Sequence, residues 1–93
     1  GGIYNNGILT VNNSTIKDNV SQSLLGLGGG GGGIFNAITA TATVNNSTIS
    51  GNSSQSDGGG IFNNGGTITL KNSTISNNSA QNNGGGIHNS GIL

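Results

Sequence analysis

The residues of this chain that could do chemistry are few: two carboxylates, Asp18 and Asp57, two amines, Lys17 and Lys71, and one imidazole, His88. General acid and base cleavage of a glycoside wants two carboxylates at a set separation, and a Ca²⁺-dependent site wants several oxygen ligands with acidic charge among them. Glu and Arg are absent, and the two Asp fall at non-equivalent places of the repeat described below, so these residues assemble no such site. Without Cys there is neither a thiolate metal site nor a disulfide framework. His88 has no second ligand or carboxylate in its own unit. The Gly runs lack the Lys-Ser/Thr of a phosphate-binding loop, and the recurrent Asp of the Ca²⁺-binding nonapeptide is missing. The sequence therefore predicts no catalytic residues, no metal and no cofactor. A net charge of zero leaves no electrostatic footprint for nucleic acid or an anionic membrane. No apolar run approaches the roughly 18 residues of a membrane span, so this segment is not expected to insert.

What must be positioned is instead a pattern. The stretch Gly59 to Gly86, GGIFNNGGTITLKNSTISNNSAQNNGGG, recurs about three and a half times along the 93 residues. Ile34 to Ile61 is a step of 27 residues and Ile61 to Ile87 one of 26, a period that signals a solenoid in which each unit stacks on its neighbours. A charged content of 4% and a hydrophobic content of 29% would by themselves suggest disorder. Disordered Gly/Ser/Asn tracts, however, do not return Ile, Val and Leu to matched positions. Each unit offers three short apolar runs separated by Asn, Gly and Ser, and in the first unit Leu9 and Val11 alternate with Thr10 at the period of a half-buried strand. No unit has the periodicity or composition of a helical repeat. The expected fold is all-β, a parallel β-helix with rungs of roughly 26 residues and three short strands each, at about residues 1–30, 31–57, 58–83 and a partial 84–93.

Stacked rungs imply columns about 4.8 Å apart. Four are apolar: Ile3, Ile34, Ile61 and Ile87; Leu9, Ala42, Ile68 and Leu93; Val11, Val44 and Leu70; Ile16, Ile49 and Ile75. Three are Asn: Asn13, Asn46 and Asn72; Asn19, Asn52 and Asn78; Asn5, Asn36, Asn63 and Asn89. An Asn amide both donates and accepts, and its residue tolerates the left-handed backbone of a turn, so these columns are expected to be structural ladders. Asn13-Ser14-Thr15 and its copies also match the glycosylation sequon, which Asn/Ser-rich sequence produces by chance.

Two columns are candidate binding surfaces. Tyr4, Phe35, Phe62 and His88 share one place in the repeat; their rings either turn outward, where they could bind sugar rings or a protein, or pack inward beside the Gly turns. Thr41 and Thr43 lie over Thr67 and Thr69, with Thr10 below and Ile8 interrupting, a small threonine patch resembling that of ice-binding solenoids. Thr is also simply a favoured outward residue on a strand. Ile16 to Ile34 spans 18 residues where Ile49 to Ile61 spans 12, so six residues are inserted within 20–33, around Leu24, Leu25, Leu27 and the Gly run. An insertion leaves a solenoid rung as a surface loop. The chain opens on GGIYNNGIL and closes on GGIHNSGIL, which reads as a piece of a longer array whose open rung ends should self-associate.

Gly31-Gly32-Gly33-Ile34, Gly58-Gly59-Gly60-Ile61 and Gly84-Gly85-Gly86-Ile87, paired with Ile16-Lys17-Asp18-Asn19, Ile49-Ser50-Gly51-Asn52 and Ile75-Ser76-Asn77-Asn78, resemble the GGA-I and FxxN signatures of the polymorphic outer-membrane protein repeat of bacterial autotransporters. Gly stands here for the family's Ala and Ile for its Phe, and the resemblance covers almost the whole chain. It implies a right-handed β-helix and a secreted or surface-displayed bacterial protein of which this is part of the exported shaft. The function expected is a non-enzymatic structural or adhesive segment, with a host-surface protein or glycan as partner. The alternatives are a piece of a carbohydrate-active β-helix whose catalytic rungs lie elsewhere, and an ice- or surface-binding threonine face.

Overall fold

The repeat closes into stacked rungs because each short run of apolar residues is followed by a residue that can turn. The structure, a computed structural model, describes residues 1–23 and 29–93. The first rung carries β1 (Ile3–Asn5), β2 (Ile8–Asn12), β3 (Thr15–Lys17) and β4 (Val20–Ser21). The second carries β5 (Ile34–Asn36), β6 (Thr41–Asn45), β7 (Thr48–Ser50) and β8 (Ser53–Ser54), and the third β9 (Ile61–Asn63), β10 (Thr67–Lys71), β11 (Thr74–Ser76) and β12 (Ser79–Ala80). β13 (Ile87–Asn89) opens a fourth. Equivalent strands pair in parallel, in the orders β1-β5-β9-β13, β2-β6-β10, β3-β7-β11 and β4-β8-β12. The fourth sheet adds to the three strands expected per rung. Its strands are two residues long and mostly Ser, so no apolar alternation announces them.

The register reproduces the apolar columns: Ile3 pairs with Ile34 and Ile34 with Ile61, Val11 with Val44 and Val44 with Leu70, Ile16 with Ile49 and Ile49 with Ile75. Ala42 lies between Leu9 and Ile68, and the register continues past Ile68 toward the end of the chain through a bridge between Thr67 and Ile92. In the middle rung Ile34, Ala42, Val44 and Ile49 are fully buried, whereas in the outer rungs Ile3, Leu9, Leu70, Ile75 and Ile87 are only partly covered. Burial is thus supplied by the rungs on either side, as the one-dimensional logic of a solenoid requires. The shortest dimension, 16 Å, matches three to four rungs stacked at about 4.8 Å.

Corners recur with the strands. Asn13, Asn46 and Asn72 hold φ of 49°, 50° and 49°, the left-handed region that Asn tolerates and most side chains avoid. Gly31, Gly58 and Gly84 hold φ of 63°, 64° and 65°, and a Cβ there would collide with the carbonyls of Ile34, Ile61 and Ile87. Gly32 and Gly59 pass so close to the next rung that a Cβ would meet the carbonyl oxygens of Gly59 and Gly85 respectively. The Gly triplet is therefore a requirement of rung closure. The heart of the insertion expected within 20–33, residues 24–28, lies outside the described residues.

Candidate functional site

The inward places of β1, β5 and β9 are taken by Ile and Asn at both ends of a three-residue strand, which leaves the middle residue facing outward. Tyr4, Phe35, Phe62 and His88 consequently form a continuous outer column, with ring centroids 5.1, 5.2 and 5.0 Å apart. This decides between the two orientations left open by sequence. Tyr4 and Phe35 stack with 12° between their planes, but Phe35 and Phe62 meet at 73° and Phe62 and His88 at 89°, so successive rings cover one another's faces and edges. Tyr4 is 68% exposed and the other three are half-buried. Gly30 lies against the Phe62 ring so closely that a Cβ there would strike it. A cavity of about 280 Å³ opens between Tyr4, Phe35, Ser21 and Gly29 to Gly31. The Nε2 of His88 is 3.2 Å from Ser90 Oγ, and among the described residues no group of three or more His, Asp or Glu could hold a metal.

On the second sheet the outward columns are Ile8, Thr41 and Thr67; Thr10, Thr43 and Thr69; and Asn12, Asn45 and Lys71. Thr41 and Thr43 do stand in register with Thr67 and Thr69, and Ile8, 89% exposed, stands where the third Thr pair would begin. A further outward threonine column, Thr15, Thr48 and Thr74, runs along the third sheet. In the sequence this column is masked by the Asn-Ser that precedes each Thr.

Asp18 and Asp57 belong to different columns. Asp18 occupies the corner held by Gly51 and Asn77 in later rungs, and its side chain, 70% exposed, lies 3.8 Å from Lys17 Nζ. Asp57 bridges to Gly30 and accepts from the backbone amide of Asn83 at 3.0 Å, so it links rungs at the entrance to the Gly triplet. Nothing in the fold brings the two carboxylates to one place.

The Asn columns divide. Asn5, Asn36, Asn63 and Asn89 form an internal ladder in which each Nδ2 donates to the next Oδ1, at 2.8, 2.9 and 2.7 Å. Asn36 Nδ2 also donates to the carbonyls of Ala40 and Thr67, closing the bend between the first and second sheets. Asn19, Asn52 and Asn78 form a second ladder, with Nδ2 to Oδ1 distances of 3.0 Å at both steps and further bonds from Asn52 and Asn78 to the carbonyls of Ile16 and Ile49. Asn13, Asn46 and Asn72 do not form one, contrary to expectation. Their rungs are joined there by backbone amides, Asn13 to the Asn45 carbonyl and Asn46 to the Lys71 carbonyl, while the carboxamides are exposed and make no hydrogen bond among the described residues. The physical reason is the left-handed corner itself: it directs the side chain away from the core, so this column is selected for its backbone.

Two stretches, 46–64 and 72–90, match the Chlamydia polymorphic membrane protein repeat. Each match runs from a left-handed Asn corner through β7 or β11, the second Asn ladder and the Gly triplet to the aromatic column. The repeat resembled by the sequence motifs is thus the one matched. The first rung, whose equivalent stretch carries the six-residue insertion, lies outside both matches. No curated protein and no solved structure matches the chain.

Proposed function

We propose that this chain is a non-enzymatic shaft segment of a larger bacterial surface protein, exposed at the outer membrane or outside the cell, and that its outward columns are adhesive. The observation carrying this reading is the match of residues 46–64 and 72–90 to the polymorphic membrane protein repeat, together with the separation of Asp18 and Asp57 into different columns. The same separation means that these rungs supply no catalytic pair of their own, so the carbohydrate-active alternative would need rungs beyond these 93 residues. Contact with a host-surface protein or glycan would use the side where the aromatic column adjoins the threonine sheet, whose only charged side chain is Lys71. To test it, fluorescently labelled chain is titrated onto cultured animal cells: saturable binding is expected, reduced about tenfold or more by Phe35→Ser with Phe62→Ser while the far-ultraviolet spectrum is retained. Binding that these substitutions leave intact would remove the aromatic column from the reading, and no binding would remove adhesion.

A second reading, an ice- or surface-binding face, has the in-register Thr41/Thr43 and Thr67/Thr69 pairs in its favour. Thermal hysteresis in a freezing assay, lost on Thr43→Tyr, would establish it. The isolated 93-residue chain is further expected to stack end to end, because its outermost strands leave backbone groups unpaired and its near-absence of charge supplies little repulsion. Light scattering over a concentration series should show growth, and a monodisperse monomer would refute the stacking.

A further inference from the structure

The exposed corner asparagines are a site in search of a role. Each is followed by Ser and then by an outward Thr: Asn13 by Thr15, Asn46 by Thr48 and Asn72 by Thr74. That is the sequon in which a transferase recognises the hydroxyl two residues on and modifies the Asn amide. Elsewhere in the chain the same pattern is buried, committed or alone in its column. Asn12, followed two residues on by Ser14, is exposed but accepts at Oδ1 from Asn45 Nδ2, Ser14 Oγ donates to the Asn12 carbonyl, and Lys71 ends the column. Asn52, followed by Ser53 and Ser54, is fully buried and spends its Nδ2 hydrogens on Asn78 and on the Ile16 carbonyl. Asn19 commits its Nδ2 to Asn52, and Asn45 commits its own to Asn12. Asn77 is exposed, with Ser79 two residues on, but its equivalents are Asp18 and Gly51, so it stands alone in its column. The three corner residues combine an uncommitted carboxamide, exposure to solvent and a Thr hydroxyl on the adjoining strand, and they do so in successive rungs.

We propose that Asn13, Asn46 and Asn72 are a column of sugar-acceptor sites. Nδ2 would form a bond to the anomeric carbon of a sugar held on a nucleotide or lipid diphosphate. The diphosphate leaves with the bonding electron pair, and the amide proton passes to a base of the transferase. Spacing restricts what can be attached. Neighbouring acceptors stand one strand spacing apart, about 4.8 Å, close to the thickness of a saccharide ring, so single sugars or short unbranched chains fit on all three at once and branched glycans do not. A saccharide column there would also hydrate a shaft whose only charged side chains are Lys17, Asp18, Asp57 and Lys71. This inference is independent of adhesion, because it rests on the corner geometry alone.

The test is peptide mass spectrometry on the parent protein purified from its natural source. Expected are masses of one or a few hexose-type units on Asn13, Asn46 and Asn72, with Asn52 unmodified. Thr48→Ala, made in the parent protein and expressed in the same cells, should abolish addition at Asn46 and leave Asn13 and Asn72 modified, and Thr48→Ser should restore it. Quantitatively unmodified Asn at all three corners would overturn the proposal. So would addition at Asn46 that survives Thr48→Ala, or sugar on Asn52.

Discussion

Asn36 and Asn46 lie in the same rung, on either side of the same five-residue strand, and they recur in the repeat with equal regularity. One is fully buried and is joined through its side chain to the rungs above and below; the other is exposed and contributes a backbone angle. The difference teaches that periodicity in a solenoid reports that a place is constrained and leaves open what constrains it. At the buried place the amide is required because strands must bend there and the freed carbonyls of Ala40 and Thr67 need a donor in a water-free interior. At the corner any residue comfortable at positive φ would serve.

The largest effect should therefore come from the buried ladder. Asn36→Ala removes the donor from two carbonyls and breaks the ladder on both sides, leaving Asn5 Nδ2 and Asn63 Oδ1 without their partner. Buried groups left unpaired cost about 1–3 kcal/mol each, so a loss of roughly 3–5 kcal/mol is expected, read as a lowered urea midpoint. Asn36→Asp should be nearly as costly, since it keeps the shape but cannot donate. A loss below about 1 kcal/mol in either variant would show that the ladder is ornamental and erase the contrast.

The Gly triplet gives a second, smaller contrast between the middle and the end of the array. A Cβ on Gly59 would meet the carbonyl oxygens of Ser79, in the same rung, and of Gly85, at the start of the next. A Cβ on Gly86 meets only Ile75 Cγ2 at 3.5 Å, ordinary contact. Gly59→Ala should cost about 2–3 kcal/mol through overpacking, and Gly86→Ala a few tenths at most. Neither residue holds a positive φ, so equal costs would show that close approach between rungs is not what makes Gly59 a glycine.

How much of this could be read beforehand follows from the same distinction. The apolar columns were legible because Ile, Val and Leu have one reason to recur, and the register of β1 to β3 against β5 to β7 follows from them directly. The fourth sheet was not legible, since Ser53, Ser54, Ser79 and Ala80 carry no apolar contrast between faces. Ring orientation was ambiguous because Phe is at home on either face. It is settled by Asn36 and Asn63, whose inward ladder fixes the parity of the strand. Asn13, Asn46 and Asn72 depart from the expected ladder for the converse reason: an amide able to bond to its copies does so only where the backbone points it inward, and a left-handed corner turns it outward instead.

A pair of small expected effects at the corner sharpens the comparison most. Asn46→Ala places a Cβ-bearing residue without a polar side chain at φ 50°, where an ordinary L-residue pays about 1–2 kcal/mol; Asn already bears part of that cost, so a loss of about 1 kcal/mol is expected. Asn46→Gly removes the same carboxamide and restores full tolerance of the angle, against a modest entropy cost in the unfolded chain. Its stability should match the parent within about 0.5 kcal/mol. The pair separates side chain from backbone at one residue. If Gly proved as damaging as Ala, the carboxamide itself would be holding the rung, and Asn46 would join Asn36 as a ladder residue. If Gly is neutral while Ala is not, the corner is a backbone device, and its exposed amide is left free for other chemistry.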